Sequence, residues 1–262
     1  MAFDLNNFVI DRIIRGVALS QKDDSVLFSI NQIQNASLNC ASESTDAVDS
    51  IGVPIATFYR AKSAEFSAEN ALFDMNLMAT QLGTTKKVAS ATSKIVAPAM
   101  ESFTVEEGGK YELKHTPKVA PAEIYALNGD STFGTKYSKA TAASATAFSI
   151  ADKTITLPTG VEVGTEMFVM YEYETENAVE VVNSATEFPV GCKFIMEVLG
   201  CDVCDQTTLI HAYVIFNNFK LSPDFDWSVA TDSTHPFSGK AQQDYCDKEK
   251  RLFSIVISGD EQ

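Results

Sequence analysis

Tryptophan occurs once and histidine three times in 262 residues, and lysine and arginine together number 20 against 35 aspartates and glutamates. With a formal charge of −15 the chain has no cluster of cations to hold nucleic acid by its phosphates, which argues against a DNA- or RNA-gripping protein. Long hydrophobic runs are missing. Among the most apolar segments, Ala212-Tyr213-Val214-Ile215-Phe216 falls far short of the roughly 20 residues a bilayer helix needs, so no membrane partner is expected. The first residues lack a basic stretch followed by an apolar one, so no secretory signal is expected and synthesis and assembly are placed in a cytoplasm. Five cysteines, an odd number, then favour free thiols over a disulfide framework. A GxxxxGK[ST] phosphate loop is also missing. Gly129-Asp130-Ser131-Thr132-Phe133-Gly134-Thr135-Lys136 misses it by one residue and reads as a loop.

What the chain does have is 45% hydrophobic residues, enough for a substantial core. From Val26 to Leu38, Phe28, Ile30 and Leu38 fall on even positions, Ile33 breaks the period, and the other face is Ser, Asn and Gln. This reads as the first arm of a long hairpin. The polar segment Ala41 to Ser50 is rich in turn formers and is expected to stay mobile until a neighbour orders it. The second arm runs from Gly52 through Phe66. Ser67 then caps an expected helix over 67–82, in which Ala71, Leu72, Met75, Met78, Ala79 and Leu82 follow helical spacing and Gly83 supplies the stop. Leu72, Met75 and Met78 are its packing anchors, with Asp74, Asn76 and Gln81 facing neighbours. After Pro189, Cys192 to Leu199, a turn over Gly200 to Gln206, and Thr207 to Phe219 read as a second hairpin.

The run Asp49-Ser50-Ile51-Gly52-Val53-Pro54-Ile55, the segment Lys62 to Glu69 and the helix ending Gln81-Leu82-Gly83 resemble the major tail tube proteins of tailed bacteriophages. Leu221-Ser222-Pro223-Asp224-Phe225-Asp226-Trp227-Ser228 and Phe237-Ser238-Gly239-Lys240-Ala241 are similar to their late strands. The resemblance covers about the first hundred and last seventy residues and is one of pattern and layout. Between the two flanks, turn signals separate short strands at Tyr111 to His115, Ala122 to Leu127, Ala147 to Ile150, Thr154 to Leu157 and Glu166 to Thr175. The expected class is therefore mainly β, a sandwich- or barrel-forming tail-tube fold with one principal helix and an inserted Ig-like β domain. Residues 1–107 and 180–262 would form the discontinuous tube domain and 108–179 the insertion; a continuous larger sandwich is the alternative.

Several chemical constellations compete with this reading. Cys201-Asp202-Val203-Cys204, with Cys192 and His211, has the residue types of a zinc site, although no second CxxC accompanies it. Cysteine as a small core residue is the simpler account. Glu172, Glu174 and Glu176 share one strand face, and three like charges there are more often solvated than metal-binding. Gly129-Asp130-Ser131 and Asp232-Ser233-Thr234-His235 superficially match esterase blocks, but the serine comes mid-chain among short strands, without the early strand-to-helix setting such a nucleophile uses. No catalytic residue, cofactor or metal ligand is assigned, and Trp227, beside Phe225 and Pro223, is read as a packing anchor.

The resemblance implies a structural protein of the virion tail, assembled in the bacterial host cytoplasm, whose copies form stacked hexameric rings. Inner hairpins would pair into a barrel, with residues 26–40 and 52–66 lining or supporting the channel. Ser42, Glu43, Thr45, Asp46, Asp49 and Ile51 would contact neighbouring copies or rings. The partners implied are further copies of the chain, other tail proteins and, transiently, DNA in the lumen, where a negative wall would keep phosphates from adhering. A capsid decoration or head-to-tail connector protein, a zinc-binding cytoplasmic module and a carbohydrate-binding module using Tyr171, Tyr173 and Trp227 are the alternatives.

Overall fold

A computed structural model describes Leu5, residues 7–245 and residues 248–258. The chain runs through β1 (Phe8–Ser20), β2 (Val26–Ile30), β3 (Ile33–Val48), β4 (Pro54–Asn70) and α1 (Met75–Gln81). It continues in β5 (Lys87–Val88), β6 (Ile95–Thr104), β7 (Lys110–Glu112), β8 (Glu123–Leu127) and β9 (Phe133–Lys139). β10 (Ala147–Ala151), β11 (Thr154–Thr156), β12 (Glu166–Thr175) and β13 (Val179–Glu180) follow. The last strands are β14 (Gly191–Asp202), β15 (Leu209–Leu221), β16 (His235–Ala241) and β17 (Ser254–Ser258). Among the described residues the fold is mainly β with one helix, as its alternating patterns predict. The chain divides into two compact units, one made of the residues up to Lys86 and those from Val181 on, the other Lys87–Glu180.

The first unit is one eight-stranded sheet in the order β2-β1-β14-β15-β16-β4-β3, with β17 on β15. It curls strongly. Phe28 of β2 and Phe66 of β4, far apart in that order, both reach Phe194 of β14, with ring centroids at 6.1 and 5.6 Å. Phe216, Phe219, Phe237 and Leu77 complete the buried interior. Burying each such ring contributes about 1.5–3 kcal/mol, and aromatic pairing adds about 0.5–1.5 kcal/mol. The curl needs close approach at Gly16, where a Cβ would lie 2.8 Å from Ile33 Cδ1 and 3.0 Å from Phe194 Cζ.

The expected hairpin arm from Val26 to Leu38 is two strands, β2 and β3, broken at Asn31-Gln32 immediately before the out-of-period Ile33. Gln32 O there accepts a hydrogen bond from Ala71 N at 2.9 Å. The hairpin is β3–β4. It takes up most of the segment expected to be a mobile loop, since Ala41 to Val48 belong to β3. Serine and threonine tolerate a pleated strand well when the partner offers Thr57, Phe58 and Tyr59 for cross-strand pairing.

The helix is shorter than its spacing suggests. Ser67 to Asn70 continue β4, pairing with β16 from Ser67↔Ser238 to Asn70↔His235, because Ala64, Phe66, Ala68 and Asn70 are buried with the period of a strand. Asp74, not Ser67, caps α1, its Oδ1 accepting from Asn76 N at 2.9 Å and Leu77 N at 2.7 Å. Leu72 precedes the helix and is 61% exposed, Met75 and Met78 are half-buried, and Leu77 fills the core instead.

The second unit carries a seven-stranded sheet in the order β6-β12-β8-β9-β10-β11-β7 and a two-stranded ribbon of β5 and β13. β12 occupies the expected Glu166 to Thr175 and pairs along its whole length with β6, so this unit takes in residues well before 108. β9 stands where the near-match to a phosphate loop suggested an irregular segment. Its core holds Leu113, Ile124, Phe148, Ile155, Met167 and Val169. Buried Glu101 is satisfied by the Tyr111 hydroxyl at 2.8 Å, the Tyr171 hydroxyl and Lys114 N at 3.2 Å. Burial first, and then the hydrogen bond to Glu101, push the Tyr111 phenol up to about 12.

Candidate assembly interface

Pairing in β3–β4 runs from Leu38↔Phe66 through Cys40↔Ala64, Ser42↔Lys62, Ser44↔Tyr59, Thr45↔Phe58 and Asp46↔Thr57 to Ala47↔Ala56. At its root the hairpin belongs to the core, with Phe66 and Ala64 buried. Farther out, every residue from Asn39 to Ser63 is exposed except the half-buried Asp49. β4 pairs with β16 only from Ala64 to Asn70, and β3 ends the sheet order, so both outer edges of the distal hairpin are unpaired among the described residues. Ala41 to Val48 alone extend about 26 Å at the usual rise of a strand. Between Ser42 and Ser44 the register shifts, Arg60 and Ala61 together opposing Glu43, which bends and twists the arm.

The tip is a tightly bonded turn. Asp49 N donates to Val53 O at 2.9 Å and Gly52 N to Asp49 O at 3.1 Å. Asp49 Oδ1 accepts from both Ile51 N and Val53 N at 2.9 Å. Gly52 has φ +88°, a conformation that favours glycine. This geometry holds Ile51 out into solvent, 83% exposed, with Ile55 at 71% and Phe58 at 57%, and Val48, Val53 and Tyr59 also exposed. A long strand pair with free edges and exposed apolar side chains is unfavourable for an isolated soluble molecule and suited to one that gains a partner.

The residues expected to contact neighbours fall together on this arm. Ser42, Glu43, Thr45 and Asp46 lie in the exposed part of β3, Asp49 organises the turn and Ile51 is its apex. Trp227 lies elsewhere in the same unit, stacked on Phe73 at 4.5 Å, and Phe73 in turn stacks on His235 at 5.1 Å. Sequence reasoning missed the apolar side of the tip. Its signal was Val48, Ile51, Val53, Ile55 and Phe58 beside a polar run that read as loop.

The candidate zinc ligands come apart along their strands. Cys192 and Cys201 are nine residues apart on β14, about 30 Å along an extended strand, so they cannot share one ion. Cys192 is buried, its Sγ donates to Phe219 O at 3.3 Å, and burial pushes the thiol up to about 12. His211 Nδ1 is 2.9 Å from Glu197 Oε1, and Glu197 Oε2 accepts from Arg15 Nε at 2.6 Å. Among the described residues, no group of three or more His, Cys, Asp or Glu side chains could hold a metal ion.

Ser131 occupies a turn at φ +62° in the second unit, and Asp130 Oδ1 is taken up by Thr132 N and Oγ1. His235 belongs to the first unit. Its Nδ1 accepts from Asp74 N at 3.3 Å, its Nε2 lies 2.8 Å from Gln81 Oε1, and burial lowers its pKa against the opposing pull of Asp74. With both ring nitrogens engaged, it is placed to join α1 to β16 and not to take a proton from a substrate. Glu174 of β12 pairs with Lys118 at 3.1 Å, and Glu176, just past the end of β12, pairs with Lys94 at 3.3 Å, exposed ion pairs of small energetic weight.

A sequence model of the YomU/Tube protein family matches residues 8–255 of the chain. No curated protein matches it.

Proposed function

The chain belongs to the YomU/Tube protein family, and on that footing we propose that it is a non-enzymatic subunit of a phage tail tube. Copies join into stacked hexameric rings around a channel for DNA, and the second unit serves as an Ig-like insertion between the two sequence halves of the tube-forming unit. The observation that carries this reading is the exposed β3–β4 arm, which is ordered by its own hydrogen bonds and leaves two strand edges and six large apolar side chains unburied. A subunit that completes its sheet with a neighbour has a use for such an arm; a monomeric enzyme has none. The charge of −15 suits a conduit, because a negative wall repels phosphates and lets a duplex pass without adhering.

Negative-stain electron microscopy of the purified full chain, with light scattering in parallel, tests the proposal. Rings or hollow tubes are expected. A chain that stays monomeric at high concentration in low and high salt overturns it.

A further inference from the structure

Beside the root of the hairpin lies a trough whose chemistry complements the hairpin's own tip. One part, of about 540 Å³, is lined by Lys62, Lys240, Lys250, Leu252 and Phe253 among others. An adjoining part of about 330 Å³ shares Lys62, Leu252 and Phe253 and reaches across to Ala41 on β3. Its apolar floor is firm. Leu252 and Phe253 are half-buried, pack on the main core, and Phe253 lies 5.8 Å from Phe216. Its rim is basic in a chain that carries 35 acidic residues and only 20 basic ones. Among the described residues, the carboxylate lining the trough is Glu65, paired with Lys240 at 2.9 Å.

The tip has the opposite character. From Asp46 to Tyr59 the hairpin contains two aspartates and no lysine or arginine, and its apex is the exposed Ile51. Tip and trough are separated by most of the length of one hairpin, about 26 Å of strand, so they cannot meet within one chain.

We propose that the β3–β4 tip of one copy seats in the root trough of a second copy, Ile51 and Val53 against Leu252 and Phe253, with Asp46 facing the Lys62 and Lys250 rim. The proposal rests on the polymer-forming reading and names the surface that receives the arm. Each copy then donates one tip and accepts one, a head-to-tail contact that can repeat from copy to copy and, where its rotation does not close into a ring, extends an assembly. The contact joins an apolar centre to charges of opposite sign at the rim, which also orients the approach.

Charge exchange combined with crosslinking tests it on the full chain. Asp46→Lys and Lys62→Glu singly are each expected to raise the concentration needed for polymer by about tenfold or more, since each sets like charges together. The double variant, carrying both changes, is expected to polymerise near the wild-type concentration. In wild-type polymer bearing Ile51→benzoylphenylalanine, photocrosslinks are expected to map to peptides containing Leu252 and Phe253 of another copy. A double variant no better than the singles, or crosslinks confined to other segments, overturns the docking and leaves the tube reading standing. Failure of the wild-type chain to polymerise overturns the tube reading and the docking with it.

Discussion

Replacing Ile51 and Ile55 together by serine separates an assembly role from a folding role. Both side chains are largely exposed in the isolated subunit, so their loss removes little that the folded chain has already buried. Burying an isoleucine is worth about 1.5–3 kcal/mol. Scaling by the exposed fractions of 83% and 71%, the pair contributes about 2–5 kcal/mol to each contact that covers them. At 1.4 kcal/mol per factor of ten, the association constant falls by about 30- to 3,000-fold. The stability of the subunit itself shifts by less than about 0.5 kcal/mol, as for other exposed substitutions. Sedimentation and light scattering over a concentration series measure the first quantity, and urea unfolding of the monomeric variant measures the second. Polymer formation unchanged by the substitutions would rule out an assembly role for the tip. So would a loss of several kcal/mol in subunit stability, because it would mean the tip is already packed within its own chain.

Four further outcomes follow from buried groups. Glu101→Ala leaves two tyrosine hydroxyls and a backbone N–H without their acceptor and should cost about 3 kcal/mol in urea unfolding. The same cluster makes stability sensitive to strong alkali. The neutral Tyr111 phenol is favoured by folding, so its contribution is present below the ordinary value of 10 and is lost as pH rises through about 12; ultraviolet titration should show a late-ionising tyrosine that Glu101→Gln brings earlier. His235 has a folded pKa below its ordinary 6.5, so its contribution is full above 6.5 and is lost as pH falls through the lowered value; thermal midpoints should drop on acidification, and less so in His235→Gln. Cys192, buried and with its thiol pushed up to about 12, should resist a thiol reagent at neutral pH until the chain is unfolded, whereas exposed Cys40 and Cys204 react in the native state, as peptide mapping will show.

The strands most readily read from sequence were those with one buried face. Glu166 to Thr175 alternates without interruption and is found as β12 at those limits, and the hairpin of β14 and β15 lies within two or three residues of its expected bounds. The helix was overextended because Ala71, Leu72, Met75 and Met78 satisfy a helical spacing, while Ala64, Phe66, Ala68 and Asn70 satisfy a strand. Pairing of β4 with β16 decides between them, and that partner is about 170 residues away in sequence. The outer half of β3 was mistaken for a loop for a related reason. Its outer half buries nothing in its own chain, so it lacks the alternation that identifies a strand. The tip was therefore legible as polar and turn-rich with an apolar apex at Ile51, but the trough at its root emerges only once the chain leading into β17 brings Leu252 and Phe253 back beside β4. The zinc reading failed on reach: ligand types can be counted in a sequence, but nine residues of extended strand separate Cys192 from Cys201.

On the proposed function, the exposed β3–β4 arm makes the contacts between copies. An electron cryomicroscopy reconstruction of the assembled chain tests it most directly. Rings in which residues 39–63 of every copy are covered by neighbouring copies around a continuous channel are expected. A reconstruction in which those residues remain in solvent, with copies joined through other surfaces, would contradict it.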